Sequence, residues 1–160
     1  MPASDDLIDD LLGLAPGSKL HALRCRRPEA RRHAEGAFRE LLLPADPGGI
    51  SRAERALLAM RVAAREDDAA LAARFRAMVA AAGGDAEAAP VGEGRLPALL
   101  RYADKVAADP ESTTRADLDG LAALGLSSRD IVAATQLVAF VPYQVRVLAG
   151  LRAMQQETPR

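Results

Sequence analysis

The segment from Ile131 to Leu151 constrains this chain more than any other, because it is apolar on most faces of the helix it would form. Such a helix must be covered on nearly every side, so it belongs at the centre of a bundle or in a subunit contact. Gln136, Pro142, Gln144 and Arg146 interrupt it. Groups of that kind are costly in lipid, so a buried core helix is expected rather than a membrane span. Ser127 or Ser128 supplies its N-cap, and Pro142 should kink it by removing one backbone hydrogen bond.

The rest of the chain supplies the cover, and it does so with helices. No stretch alternates apolar and polar residues with the period of two that a half-buried strand needs, whereas helical spacing recurs throughout. A first helix runs from about Asp5 to Leu12 and stops at Gly13; a second is capped by Ser18; a third opens at Pro28 and reaches about Leu43. Pro44 to Gly49 is a turn that no helix or strand crosses. Ser51 caps the next helix, whose stripe of Leu57, Leu58 and Val62 is broken by Arg65-Glu66-Asp67-Asp68 and resumed by Leu71, Phe75, Met78 and Val79. That pattern fits two helices with a short join, or one helix with a polar middle. Gly83-Gly84 ends it, and Asp85 to Arg95 is expected as a loop. Shorter helices follow at about Leu96–Ala108 and Arg115–Leu124, the latter opened by Thr114 and Asp117 at capping-box spacing.

A chain of 160 residues fits one domain. Aromatic residues make up 3% and Trp is absent, while hydrophobic residues reach 49%, so aliphatic and small side chains must fill the core. Small side chains also let helix axes approach closely. The expected fold is therefore an all-α multi-helix bundle.

Charge narrows the function classes. With 21 basic and 22 acidic residues the net charge is −1, which gives no field to draw nucleic acid or an anionic membrane. Lys19, Arg24, Arg26, Arg27, Arg31, Arg32 and Arg39 nevertheless crowd one stretch. They form either a basic contact surface for an acidic partner or a solvated face neutralised by Glu29, Glu35 and Glu40. A single cysteine, Cys25, allows no internal disulfide, and the acidic start Ser4–Asp10 does not look like an export signal, so a cytoplasmic location is expected. His21 and His33 stand twelve apart and the chain has no third His, so no metal site and no cofactor are expected.

Two stretches carry a family resemblance. One is Ile50-Ser51-Arg52-Ala53-Glu54-Arg55-Ala56-Leu57-Leu58-Ala59-Met60-Arg61-Val62-Ala63-Ala64. The other runs from Leu99-Leu100-Arg101-Tyr102-Ala103 through Leu124-Gly125-Leu126-Ser127 to Asp130-Ile131-Val132, Val138-Ala139-Phe140, Arg146 and Gly150-Leu151. Together they resemble the carboxymuconolactone decarboxylase and alkylhydroperoxidase D-like superfamily, in particular its peroxidase-related branch. The resemblance divides the chain into an N-terminal helical extension, 1–49, packed on a family domain, 50–160. It implies an all-α bundle that assembles as a homo-oligomer, a trimer or hexamer with a dimer as a further alternative, and a thiol-bearing relative as one partner.

Peroxidase-type members of that family carry a Cys-x-x-Cys at a helix start, a Glu upstream and a His just after. A helix N-terminus and a proton acceptor favour thiolate, and the second cysteine resolves the oxidised first. On this sequence the resemblance places those positions at Ala56 for the Glu, Asp68 and Leu71 for the cysteines, and Phe75 for the His. None is retained, so disulfide-cycling peroxidase activity is expected to be absent. The leading expectation is a non-peroxidase binding or assembly protein. The alternatives are a thiol-independent enzyme acting on a small organic acid, or a residual antioxidant role. For an enzyme the catalytic candidates are Asp68 and Glu66. Glu54, Arg61, Arg65 and Asp68 would share one face of a continuous helix, with Arg61 or Arg65 holding an anionic ligand. Tyr143, Gln144 and Arg146 are further ligand-binding candidates; the competing reading pairs Arg146 with Asp104 or Asp117.

Overall fold

A computed structural model describes residues 6–89 and 91–156. Among them lie α1 (Leu7–Leu12), α2 (Lys19–Cys25), α3 (Pro28–Leu42), α4 (Arg52–Arg65), α5 (Ala69–Ala81), α6 (Arg95–Ala108), a 3-10 turn (Pro110–Ser112), α7 (Arg115–Ala123) and α8 (Ser128–Gln156), with no strand. The fold is an all-α bundle. The start of the first helix expected from the sequence, Asp5, lies outside the described residues, as do Pro90 and 157–160.

The helix ends follow local chemistry. Asp6 caps α1 by accepting the Asp9 N–H at 3.0 Å, and Gly13 closes that helix in the left-handed region at φ 60°. Ser51 and Glu54 satisfy each other's backbone N–H groups at the start of α4. Ser127 and Asp130 repeat that arrangement at the start of α8. Asp130 also reaches across the chain: its Oδ1 accepts the Gly49 N–H at 2.8 Å, so the 44–49 turn is tied to the foot of the longest helix. A Cβ at Gly49 would sit 2.6 Å from Asp130 Oδ2, so the turn requires glycine there.

α4 forms the middle of the bundle, packed on α5 along one side and α8 along another, with α6 also against both α4 and α8. Ala56, Ala59 and Ala63 are fully buried on α4, which allows those close approaches. Leu58, Leu71, Phe75, Leu99, Leu137 and Leu148 fill the space between. Arg55 is buried among them, donating to the carbonyls of Ile50, Leu41 and Pro47 at 3.0, 2.9 and 2.9 Å.

α8 is long and apolar enough, by length and composition, to cross a bilayer. In the bundle it lies against α1, α3, α4 and α6, and it continues through Pro142 without a break. Val132, Tyr143 and Met154 remain exposed along it. The first three helices pack on α8, and α3 also meets α4.

Candidate functional site

Two places hold the residues singled out in the sequence. The first is the α4–α5 junction. α4 stops at Arg65 because Asp67 adopts φ 58°, a left-handed conformation that no helix interior accommodates. The polar stretch is thus a join between two helices, and the spacing that would align Glu54, Arg61, Arg65 and Asp68 on one continuous face is lost. Each goes its own way. Glu54 caps α4 through the Ser51 N–H and pairs with Arg95. Arg61 donates to Asp104 of α6 at 2.6 Å. Arg65 is exposed and without an ion-pair partner among the described residues, and Glu66 is the half-buried C-cap of α4.

Asp68 is the N-cap of α5 and is 4% exposed. It accepts the Leu71 N–H at 3.0 Å and both guanidinium nitrogens of Arg152, from the last turns of α8, at 2.6 and 3.2 Å. Burial pushes its carboxyl upward, but the Arg152 hydrogen bond, the Leu71 N–H and the Arg152 charge outweigh it, and the net pKa lies below the ordinary 3.8. Such a carboxylate stays ionised and has its lone pairs occupied; it is a structural joint, poorly suited to passing protons. Ala56, Leu71 and Phe75, the other positions matched to the family's redox residues, are at most 1% exposed and sit within the apolar core.

The second place is a groove between α8 and the first three helices. Here Tyr143 and Gln144 come together on the side of α8 that also carries Val147 and Leu151. Tyr143 stacks on Phe140 with ring centroids 6.0 Å apart and is 47% exposed. Arg146 does not join them. Two residues on from Gln144 it has turned by about 200°, onto another face, where it is exposed. Its expected partners are taken: Asp104 by Arg61, and Asp117 by Lys105 at 2.7 Å, whose hydrogen bond leads the interactions that hold the Asp117 carboxyl at about 2.

The N-terminal arginines build the opposite wall, and their pairing differs from the i,i+4 neutralisation expected from sequence. Arg24 of α2 donates to both carboxylate oxygens of Asp6 at 3.1 Å and also touches Asp9. Arg31 of α3 donates to Asp6 at 3.1 Å and to Asp9 at 2.6 Å. Both aspartates are nearly completely buried, so α1, α2 and α3 are joined by a compact, charge-balanced network. Cys25 is exposed beside it, with Arg31 Nη1 3.0 Å from its sulfur and the His21 ring nitrogens at 3.8 Å. Among the described N-terminal arginines Arg32, paired with Glu29, follows the short-range pattern.

Between these walls lies a cavity of about 250 Å³, with Leu23, Ala34, Val147 and Leu151 as apolar lining, Arg27 at the rim and Gln144 at the floor. Gln144 is 2% exposed, and its Oε1 has no hydrogen-bond donor among the described residues. Among those residues no three His, Cys, Asp or Glu side chains gather as metal ligands.

Comparison of the sequence with protein families finds no match, and comparison with curated proteins finds none either. The fold does have counterparts. An uncharacterized peroxidase-related protein from Silicibacter sp. TM1040 superposes with a TM-score of 0.71 at 20% identity, over 95% of this chain and 85% of that one. At that identity the likeness establishes a shared all-helical fold.

Proposed function

We propose that this chain is a binding protein built on a peroxidase-related, alkylhydroperoxidase D-like fold from which cysteine-pair chemistry has gone. The observation that carries the reading is the state of the α4–α5 junction. Asp68 is committed to Leu71 and Arg152, and Leu71 and Phe75 are sealed in the core, so no thiol pair is present there and the side chains at the matched positions are closed off from solvent. Two-thiol exchange needs an attacking and a resolving sulfur, and the chain has one cysteine. The fold counterpart named above is described as peroxidase-related, and here that description applies to ancestry of shape rather than to turnover. A carboxylate–arginine enzyme at the junction is disfavoured by the same geometry, since Asp68, Arg61 and Glu54 are each engaged by a different partner.

The reading includes self-association, supported by the apolar side chains α8 leaves exposed, Val132, Tyr143 and Met154. Light scattering on the purified chain measures the subunit count directly.

The decisive test is peroxide consumption. Purified protein and a Cys25→Ser variant are supplied with cumene hydroperoxide and dithiothreitol. Neither is expected to exceed the protein-free rate. Turnover by either would overturn the proposal, and turnover lost only in Cys25→Ser would identify an intermolecular sulfur bridge as its source.

A further inference from the structure

We infer that two copies of this chain pair through the exposed face of α8, antiparallel and about a two-fold axis at Tyr143. This rests on the self-association in the reading above and names its surface, direction and register.

The face is set by spacing. Val132, Tyr143 and Met154, the large apolar residues that α8 leaves exposed, stand eleven positions apart. Eleven residues make about three turns, so the three lie on one line about 33 Å long. Gln136, Ala139 and Gly150 are exposed on the same line, and Val147 is half-buried there. None of these residues is charged, although the solvated face of a helix ordinarily carries charge. One copy does not cover the helix: its most apolar 18-residue window has a mean hydropathy of 1.5, and 44% of that window is buried.

Gly150 is an independent sign. Glycine inside a helix is unfavourable beside alanine. A Cβ at position 150 would meet nothing within 4 Å, so packing within the chain gives no reason for its absence. Close approach of a second backbone gives one.

Symmetry then selects the occupant. In a two-fold contact residue i meets j and j meets i. With antiparallel helices and the axis at Tyr143, residues equally far before and after Tyr143 stand level with each other. Val132 and Met154 are each eleven away, Gln136 and Gly150 seven, Ala139 and Val147 four. Every member of the line thus meets another member, and the long Gln136 lies over Gly150 while Ala139 meets the branched Val147. A parallel pair would set Gly150 against Gly150 and leave a gap.

Charge selects the same direction. Near Met154, Lys19 and Arg26 of α2 rim a hollow that has no acidic lining residue. Near Val132, Glu40 of α3 rims a second hollow, where Asp46 is already paired with Arg129. Lys19, Arg26 and Glu40 are exposed and have no ion-pair partner among the described residues. An antiparallel pair turns the Glu40 end of one copy toward the Lys19 and Arg26 end of the other, whereas a parallel pair sets cations against cations. The line alone, about 33 Å by about 10 Å, covers about 330 Å² per copy, short of the roughly 800 Å² per partner of a stable dimer, so the flanking residues of α2 and α3 belong to the contact.

Light scattering on the full chain is expected to give an even subunit count. Tyr143→Glu, which sets two like charges together at the axis, is expected to halve the particle mass while helicity by circular dichroism stays constant. Gly150→Leu is expected to do the same, and Arg65→Ala, away from α8, to leave the mass unchanged. Register is read by cross-linking in a Cys25→Ser background with diamide as oxidant, since a disulfide forms only where Cα atoms come within about 7 Å. Tyr143→Cys is expected to give a covalent dimer. So is the double variant Val132→Cys/Met154→Cys, whereas neither of its single substitutions should. If Tyr143→Glu does not fold, these cross-links decide. An odd subunit count, a mass indifferent to both Tyr143→Glu and Gly150→Leu, or a dimer from Val132→Cys alone would overturn the inference. So would a monomer that floats with phosphatidylcholine vesicles, which would assign the face to a bilayer. An oligomer insensitive to these changes leaves self-association standing and removes only this contact; a monomer at every concentration removes both, and neither bears on peroxide turnover.

Discussion

The α4–α5 junction and the α8 groove are built from similar materials and finished in opposite ways. Both bring arginines, carboxylates and apolar side chains together at helix ends. At the junction the buried polar group, Asp68, is partnered by Leu71 and Arg152, and Leu71 and Phe75 beside it are fully buried. In the groove, among the described residues, a buried amide oxygen has no donor and Arg27 has no carboxylate partner, and both residues line the cavity there. A satisfied buried group holds structure together, whereas an unsatisfied one costs stability. The difference separates a polar group locked into the packing from one left unpaired beside the groove.

The largest test of that contrast is Phe75→Ala. Phe75 is fully buried at the junction, so truncation should cost about 3–5 kcal/mol by urea unfolding. A loss below about 1 kcal/mol would mean that the junction is looser than a sealed core. Next is Arg152→Ala, which strands the Asp68 carboxylate. Losing one partner of a buried pair costs about 3–5 kcal/mol, but Arg152 is about a third exposed and water shares its charge, so about 2–3 kcal/mol is expected.

Acid sharpens the same comparison. The Asp68 carboxyl is lowered from 3.8, so its contribution is present above that value and is lost as pH falls through the folded one. Without Arg152, burial is opposed far less, the carboxyl rises, and protonation in acid relieves the strain instead. The stability gap between the native chain and Arg152→Ala should therefore narrow between about pH 7 and about pH 4. A constant gap in paired urea titrations would show that Asp68 does not sense Arg152.

In the groove the sign reverses. Gln144→Met removes an unpaired buried oxygen at nearly constant volume and should raise stability by about 1 kcal/mol. A fall of that size would mean that Gln144 is partnered in solution. Smallest of all, Arg146→Ala and Arg65→Ala should stay within about 0.5 kcal/mol, because both residues are exposed and unpaired among the described residues.

What the sequence disclosed was the local part. Ser18, Pro28, Ser51 and Thr114 mark helix starts where the structure has them, because capping involves residues three or four apart. The deep burial of Leu71 and Phe75 followed from their place on the apolar stripe. Partners across the fold were hidden. Arg152 meets Asp68 from 84 positions away, and Asp6 gathers Arg24 and Arg31 from two other helices. Helical periodicity says which side of a helix is buried but not which helix lies opposite. The left-handed turn at Asp67 had a trace in the four polar residues breaking the stripe, and a trace only, since a polar-middled helix fits the same letters. For Gln144 and Arg146 the signal was available: positions 144, 147 and 151 share one side at helical spacing, and 146, about 200° on from 144, does not.

Arg55 has a consequence for how such a chain can be shortened or recombined. Two of the three carbonyls that receive its guanidinium, those of Leu41 and Pro47, precede Ile50. A fragment beginning at Ile50 would strand a permanent cation inside its own interior, with one acceptor remaining. The first third of the polypeptide is therefore no removable appendage, and grafting the later helices onto another protein would succeed only if residue 55 were changed in the same step.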